Sequence, residues 1–279
     1  MSLLIASSLL LLAPTPPSDV CAPIPGWEQV LADEQLRWIV IGEVHGSNEV
    51  PAIFADAVCL TARSRPVVVA LEQPASDQAA INEFVASDGG QEAARAFLKA
   101  RMWNGPNKDG RSSEAYFHLF ETLRQMRSAG RISSVVAFQP SSFTSRPSPA
   151  EYEKAMADVL ERAAQSGETV VVLVGNVHAM RGDVPQQPPY LAMAGNLPAE
   201  ATATFNTRGE GGETWACHGT PGSRPDQIEC GAHASGTATG RKRGVELNST
   251  PEDPYSGVLY LGTPTSASPP QSVTPPLSN

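Results

Sequence analysis

Residues 37–45 read Arg37-Trp38-Ile39-Val40-Ile41-Gly42-Glu43-Val44-His45 ("RWIVIGEVH"), an apolar run that stops on a glutamate and a histidine two positions apart. A short, β-branched run without alternation is the pattern of a strand buried on both faces. Three more runs share it: 66–71 ("PVVVAL"), 133–138 ("SSVVAF") and 169–174 ("TVVVLV"). Between them, stretches of helical period lie around 49–62, 76–86, 91–100, 113–129 and 149–165. The last opens on Ser148-Pro149-Ala150-Glu151, which predicts a capping residue, a proline in the first turn and a reciprocating glutamate. Strands separated by helices predict an α/β domain with a mainly parallel central sheet flanked by helices. After about residue 185 the segments shorten and Gly and Pro increase, with candidate strands at 200–208, 213–217 and 257–261. These are expected to extend the sheet as antiparallel edges.

The chain of 279 residues is 41% hydrophobic, enough for a sizeable core, and residues 21–262 are read as one domain. Its net charge of −9, from 20 Lys+Arg against 29 Asp+Glu, argues against a nucleic-acid partner. The apolar run 3–13 is too short to span a bilayer but has the size of a signal-peptide core. Residues 1–20 are therefore read as a signal peptide, and the protein as exported, periplasmic or secreted, without a stable membrane anchor. Four cysteines suit an oxidising compartment. Cys217 and Cys230 bracket a Gly/Pro-rich loop and predict a disulfide, while Cys21 and Cys59 are left to a second bridge or, for Cys59, to a buried helix face. The Pro/Ser/Thr-rich residues 263–279 are expected to be a disordered tail.

Three of the four runs end in ionisable residues: Gly42-Glu43-Val44-His45, Leu71-Glu72-Gln73 and Gly175-Asn176-Val177-His178. The carboxyl edge of an open parallel sheet is where ligands bind. Residues i and i+2 of extended chain point the same way, so Glu43 and His45 can address one spot, which Glu72 and His178 can face from neighbouring strands. Two carboxylates and two imidazoles admit two chemistries. They can hold a divalent zinc, manganese, cobalt or iron ion, or His45 can act as general base on water while the glutamates fix its tautomer and charge. Either route leads to hydrolysis of a small-molecule or peptide substrate. The helix starting near Ser47 is expected to aim its amides at the same place. His118, His218 and His233 are read as structural or exposed.

Two further stretches are candidates for substrate binding. The loop 103–113 carries Trp103, Asp109 and Arg111, and is either substrate-facing, with Arg111 pairing a carboxylate, or a plain helix connection. Arg181 follows His178 and either binds an anionic substrate group, holds Glu72, or pairs with Asp183. No G-x-G-x-x-G, Walker loop, H-E-x-x-H or G-x-S-x-G occurs, which weighs against dinucleotide enzymes, NTPases, zincins and standard serine hydrolases.

"IGEVHG", "VALEQP" and "LVGNVHAMRGDVPQQPPYL", with "DPYSGVLYLG" towards the end, resemble the superfamily joining ChaN-like haem/iron-uptake proteins, erythromycin esterases and Tiki/TraB proteases. The last of the three long motifs looks most like the ChaN-like branch. The resemblance covers residues 37 to about 195. It implies that Glu43, His45, Glu72 and His178 line an active cleft. There the esterase relatives use such a histidine as base on water, and the Tiki-type relatives bind a divalent metal. ChaN-like relatives bind haem, so a non-catalytic haem- or metal-binding protein is the alternative. The sequence departs from that branch in lacking a lipoprotein signal and an evident pair of axial haem ligands.

Overall fold

A computed structural model describes residues 21–273 apart from 106–107, 144, 165–166, 220–227, 249 and 251. The segment read as a signal peptide lies outside the described residues.

The four predicted runs are strands β1 (Trp38–Glu43), β2 (Val67–Pro74), β3 (Ser134–Gln139) and β4 (Thr169–Gly175). All six residues of β1 are buried, because the sheet is covered on both faces. Ile39 and Ile41 join Leu71, Val171 and Leu173 in one core layer. Trp38 and Val40 join Val68, Val170 and Val172 in the other. The first layer is closed by α2 (Glu49–Thr61), α3 (Gln78–Ala86) and α6 (Glu114–Ser128), the second by α7 (Pro149–Ala163). Short helices α1 (Trp27–Leu31), α4 (Gln91–Phe97) and α5 (Arg101–Asn104) complete the helical set. The start of α7 is the predicted capping box: the Glu151 amide donates to Ser148 Oγ at 3.3 Å and the Ser148 amide to Glu151 Oε2 at 2.8 Å.

After β4 come a two-residue hairpin, β5 (Asp183–Val184) with β6 (Tyr190–Leu191), then β7 (Thr202–Arg208), β8 (Glu213–His218), β9 (Glu229–Ala234), β10 (Gly244–Leu247) and β11 (Gly257–Tyr260). The main sheet has the order β10-β11-β7-β1-β4-β2-β3. The expected antiparallel extension is present as β10 against β11. The other C-terminal strands behave differently from expectation. β7 pairs parallel with β1, and β11 parallel with β7. β8 leaves the sheet altogether for an antiparallel pair with β9. The reason lies in the connections: residues 176–201 and 209–256 are long enough to cross over and return a strand in the same direction. β7 therefore sits beside β1 and not at an edge.

Both disulfides are formed, Cys21–Cys59 and Cys217–Cys230, the latter directly across β8 and β9. No helix among the described residues is long and apolar enough to cross a membrane. Residues 263–273, assigned from composition to a disordered tail, run against the domain. Ser268 is fully buried, its amide donates to the Gly46 carbonyl at 2.8 Å, and its Oγ accepts from the Ala115 amide at 3.0 Å. Low apolar content misled here, because the segment is held by backbone hydrogen bonds and not by a hydrophobic face.

Candidate active site

Register brings the strand ends together: Glu43 of β1 lies beside Gly175 of β4, and β4 is flanked on its other side by β2. Gly175 has no side chain, and the space above it is where the cluster meets. A Cβ placed on Gly175 would stand 3.3 Å from His45 Nε2, 3.4 Å from His178 Cδ2 and 3.5 Å from Glu72 Oε2.

His45 Nδ1 lies 2.8 Å from Glu43 Oε1. The same oxygen accepts a very short hydrogen bond from the Tyr116 hydroxyl on α6. Glu43 Oε2 is buried and has no partner among the described residues. An ionised carboxylate can only accept, so neutral His45 carries its proton on Nδ1 and turns the lone pair of Nε2 to the shared space. Burial pulls the His45 pKa down, but the carboxylates of Glu43 and Glu72 outweigh it and hold it above the ordinary value of 6.5. Tyr116 is pushed well above the ordinary tyrosine range by burial and by Glu43, which keeps it a donor.

Across the sheet, His178 is held in the same way by a residue of α7. Its Nδ1 lies 2.7 and 2.9 Å from the two oxygens of Glu153, and Glu153 Oε2 also accepts the Met193 amide at 2.7 Å. Burial lowers the His178 pKa, and the Glu153 hydrogen bond with the charge of Glu72 raises it further, to a net value above 6.5.

Glu72 is fully engaged: Oε1 accepts from Arg111 Nη1 at 2.6 Å and Oε2 from the Gly175 amide at 2.7 Å, with His45 Nε2 3.6 Å away. Burial favours its neutral form, yet the charges of His45, Arg111 and His178 with the Gly175 hydrogen bond bring its pKa below the usual range. The loop carrying Arg111 reaches this point because two glycines touch. A Cβ on Gly110 would stand 2.0 Å from the Gly46 amide nitrogen, and Gly46 itself has φ +98°.

The four residues singled out at strand ends are thus brought together. Asp109 and Arg111 belong with them, but Arg111 is paired with Glu72 and with Asp109 at 2.7 Å, so its carboxylates come from the protein itself. Trp103 does not line the site. It is buried among Phe97, Phe117 and Phe120, as a large ring near the sheet's apolar layer is driven to be. Arg181 neither holds Glu72 nor faces the centre: its guanidinium donates to the carbonyls of Thr250 and Asp253, tying down that turn. The first amides of α2 are also committed, Asn48 N to the Ser266 carbonyl and Val50 N to Ser47 Oγ. They do not form the expected anion pocket.

Two supporting residues escaped the sequence pattern. Tyr116 carries no local signal. Glu153 does, for it occupies the apolar stripe of α7 with Met156, Ala157 and Leu160 at helical spacing, where an unpaired carboxylate would be costly.

The donor set does not fit a resident metal ion. Each oxygen of Glu72 already accepts a strong hydrogen bond, one of them from the Arg111 guanidinium, Glu43 Oε2 is sealed from solvent, and the Nδ1 bonds to glutamate leave each imidazole only Nε2. That leaves two imidazole nitrogens beside a guanidinium, where a transition metal wants three protein ligands. Among the described residues no group of three or more His, Cys, Asp or Glu has the arrangement of a metal site. Nor is the charged lining the apolar slot that a porphyrin plane requires.

No protein-family model matches the sequence, and no curated protein does. Solved structures do. A mutant of the erythromycin esterase EreC in its open conformation superposes with a TM-score of 0.66 at 11% identity, over 89% of this chain and 95% of that one. A succinoglycan biosynthesis protein gives 0.65 at 10% identity, over 91% and 95%. A Bacillus cereus protein gives 0.61 at 10% identity, over 88% and 93%. The chain therefore has the fold that these three solved structures share.

Proposed function

We propose that the protein hydrolyses ester or amide bonds, with His45 as general base on water and His178 as general acid towards the leaving group. One observation carries this reading: two imidazoles, each held at Nδ1 by a buried glutamate, turn to the same space above Gly175. His45 Nε2 takes a proton from water as the water oxygen bonds to the scissile carbonyl carbon. Arg111, paired with Glu72 and Asp109, holds these carboxylates in place beside the reaction space. Collapse breaks the bond to the leaving oxygen or nitrogen, which takes the proton of His178 Nε2. An acid and an alcohol or amine result. Exposed Val44 and Val177 flank the strand ends and offer apolar contacts to the substrate. The fold shared with an erythromycin esterase supports the reaction class. The two disulfides support action in an oxidising compartment, so the reading includes export.

The test is turnover of a panel of 4-nitrophenyl esters and short peptides by the purified full chain, with and without EDTA. At least one substrate is expected to turn over, with rates unaffected by EDTA and reduced about 10²- to 10⁴-fold in His45→Asn. Absence of turnover throughout, also with Mn²⁺, Co²⁺ or Zn²⁺ added, overturns the reading.

A further inference from the structure

A cavity of about 180 Å³ opens beside the cluster, at the ends of β1, β4 and β7. Its wall includes Val44, which lies between Glu43 and His45 in the chain, and Asn176, which follows Gly175. Both residues adjoin the cluster in the chain, so the cavity opens at the same carboxyl edge of the sheet. The rest of its lining is glycine, hydroxyl and amide side chains with a few apolar residues, and Arg208 is the single charged residue. Arg208 is exposed at the rim of the cavity; its charge reaches Tyr255, and it makes no ion pair among the described residues. The neighbouring acid is turned away: Glu210 spends its carboxylate on Thr239, Gly240 and Arg241. The side-chain amides of Asn176 and Asn206, also in the wall, make no hydrogen bond among the described residues. The position of Asn176 is fixed from outside, by the Tyr255 hydroxyl on its carbonyl at 2.8 Å.

We infer that this cavity binds a carboxylate of the substrate, so that the hydrolysed ester or amide carries an acid group on the side seated there. The inference rests on the hydrolase reading for its consequence, and on the cavity alone for binding. A guanidinium with planar donors nearby matches a carboxylate. One positive charge with neutral amides balances one negative charge. It would leave a phosphate monoester, at nearly two, half compensated in a chain of net charge −9.

The experiment compares 4-nitrophenyl hydrogen succinate with 4-nitrophenyl butyrate, an uncharged ester of equal acyl length, on the full chain and on Arg208→Gln. The hemisuccinate is expected to be preferred through KM, and the substitution to remove that preference, roughly ten- to a hundredfold. The butyrate rate and the melting temperature of the unliganded protein should stay unchanged. A second arm needs no turnover: calorimetric titration with succinate is expected to give binding to the wild type and to His45→Asn, and none to Arg208→Gln. Arg162→Gln, on the far end of α7, is the control for general charge. If no ester turns over but succinate still binds through Arg208, the hydrolase reading fails and the carboxylate site stands. If both esters turn over alike, or succinate binding survives Arg208→Gln, the carboxylate site is wrong whatever the fate of the hydrolase.

Discussion

His178 Nδ1 sits between the two carboxylate oxygens of Glu153, 2.7 and 2.9 Å away, and Glu153 reaches it from α7, on the opposite face of the sheet from Tyr116. The proposed catalytic pair is thus assembled from both layers: His45 with Glu43 and Tyr116 from one, His178 with Glu153 from the other. Gly175 at the crest between them lets the two imidazoles meet.

Glu153→Gln tests whether the second histidine is tuned or only packed. A neutral amide no longer favours the protonated imidazole, so the His178 pKa falls. The form able to donate a proton then disappears at lower pH. kcat is expected to drop about 10²-fold, and the alkaline limb of its pH profile to move to lower pH. If Glu153 only anchors Met193, stability would fall and the alkaline limb would not move.

Gly175→Ala separates the space from the fold. The backbone of Gly175 is not in the left-handed region, so alanine carries no conformational penalty there. Its methyl carbon would occupy the point 3.3 to 3.5 Å from His45, His178 and Glu72, where water and the scissile bond must come. Activity is expected to fall by more than an order of magnitude, with a denaturation midpoint near that of the wild type. Full activity in the alanine variant would mean that the reaction takes place elsewhere.

The sequence made the centre of this site legible and left its supports obscure, for a physical reason. Glu43, His45, Glu72 and His178 follow continuous apolar runs, and such runs in parallel strands end on one edge. Their convergence follows from the chain's local period and needs no knowledge of loops. Tyr116, Glu153 and the role of Arg111 depend on which helix packs on which face, and periodicity says nothing of that. Trp103 and Arg181 fall outside the cluster for the same reason. A large ring beside a loop and a cation beside a histidine are near in sequence, while burial among Phe97, Phe117 and Phe120 or capture by the carbonyls of Thr250 and Asp253 is decided by tertiary structure. The order of β7 and β11 in the sheet was hidden likewise, because long connections permit either direction.

Arg111→Met removes the guanidinium from a glutamate that is almost wholly buried. Breaking such a pair from one side leaves an uncompensated charge and costs about 3–5 kcal/mol. The sign with pH follows from Glu72. Its folded-state pKa lies below the ordinary 4.5, so its contribution is present above that value and lost as pH falls through the depressed one. In the variant the pKa of Glu72 rises, and the gap to the wild type should narrow as the solution is acidified. Denaturant titrations at pH 7 and near pH 4 measure both. An equal loss of stability at the two values would show that packing, and not charge, is what Arg111 supplies.

The pH dependence of kcat/KM reads the first histidine. Burial lowers the pKa of His45, and Glu43 and Glu72 more than restore it, so the free enzyme holds the proton to a pH above 6.5. A general base must be neutral, and the rate should therefore rise with pH through a value above 6.5. Glu43→Gln takes away the largest of the opposing influences. Its acid limb is expected to move to lower pH even as the maximum rate falls, because the glutamine can also turn its amide donor towards Nδ1 and favour the wrong tautomer. Folding stability moves the other way with pH. A histidine whose folded pKa is raised contributes fully below its unfolded value, and the contribution is lost as pH rises through the folded one. Activity and stability are thus expected to change in opposite directions across the same interval, as measured by initial rates and by melting temperature on one set of samples. Parallel changes in both would remove His45 from the role of base.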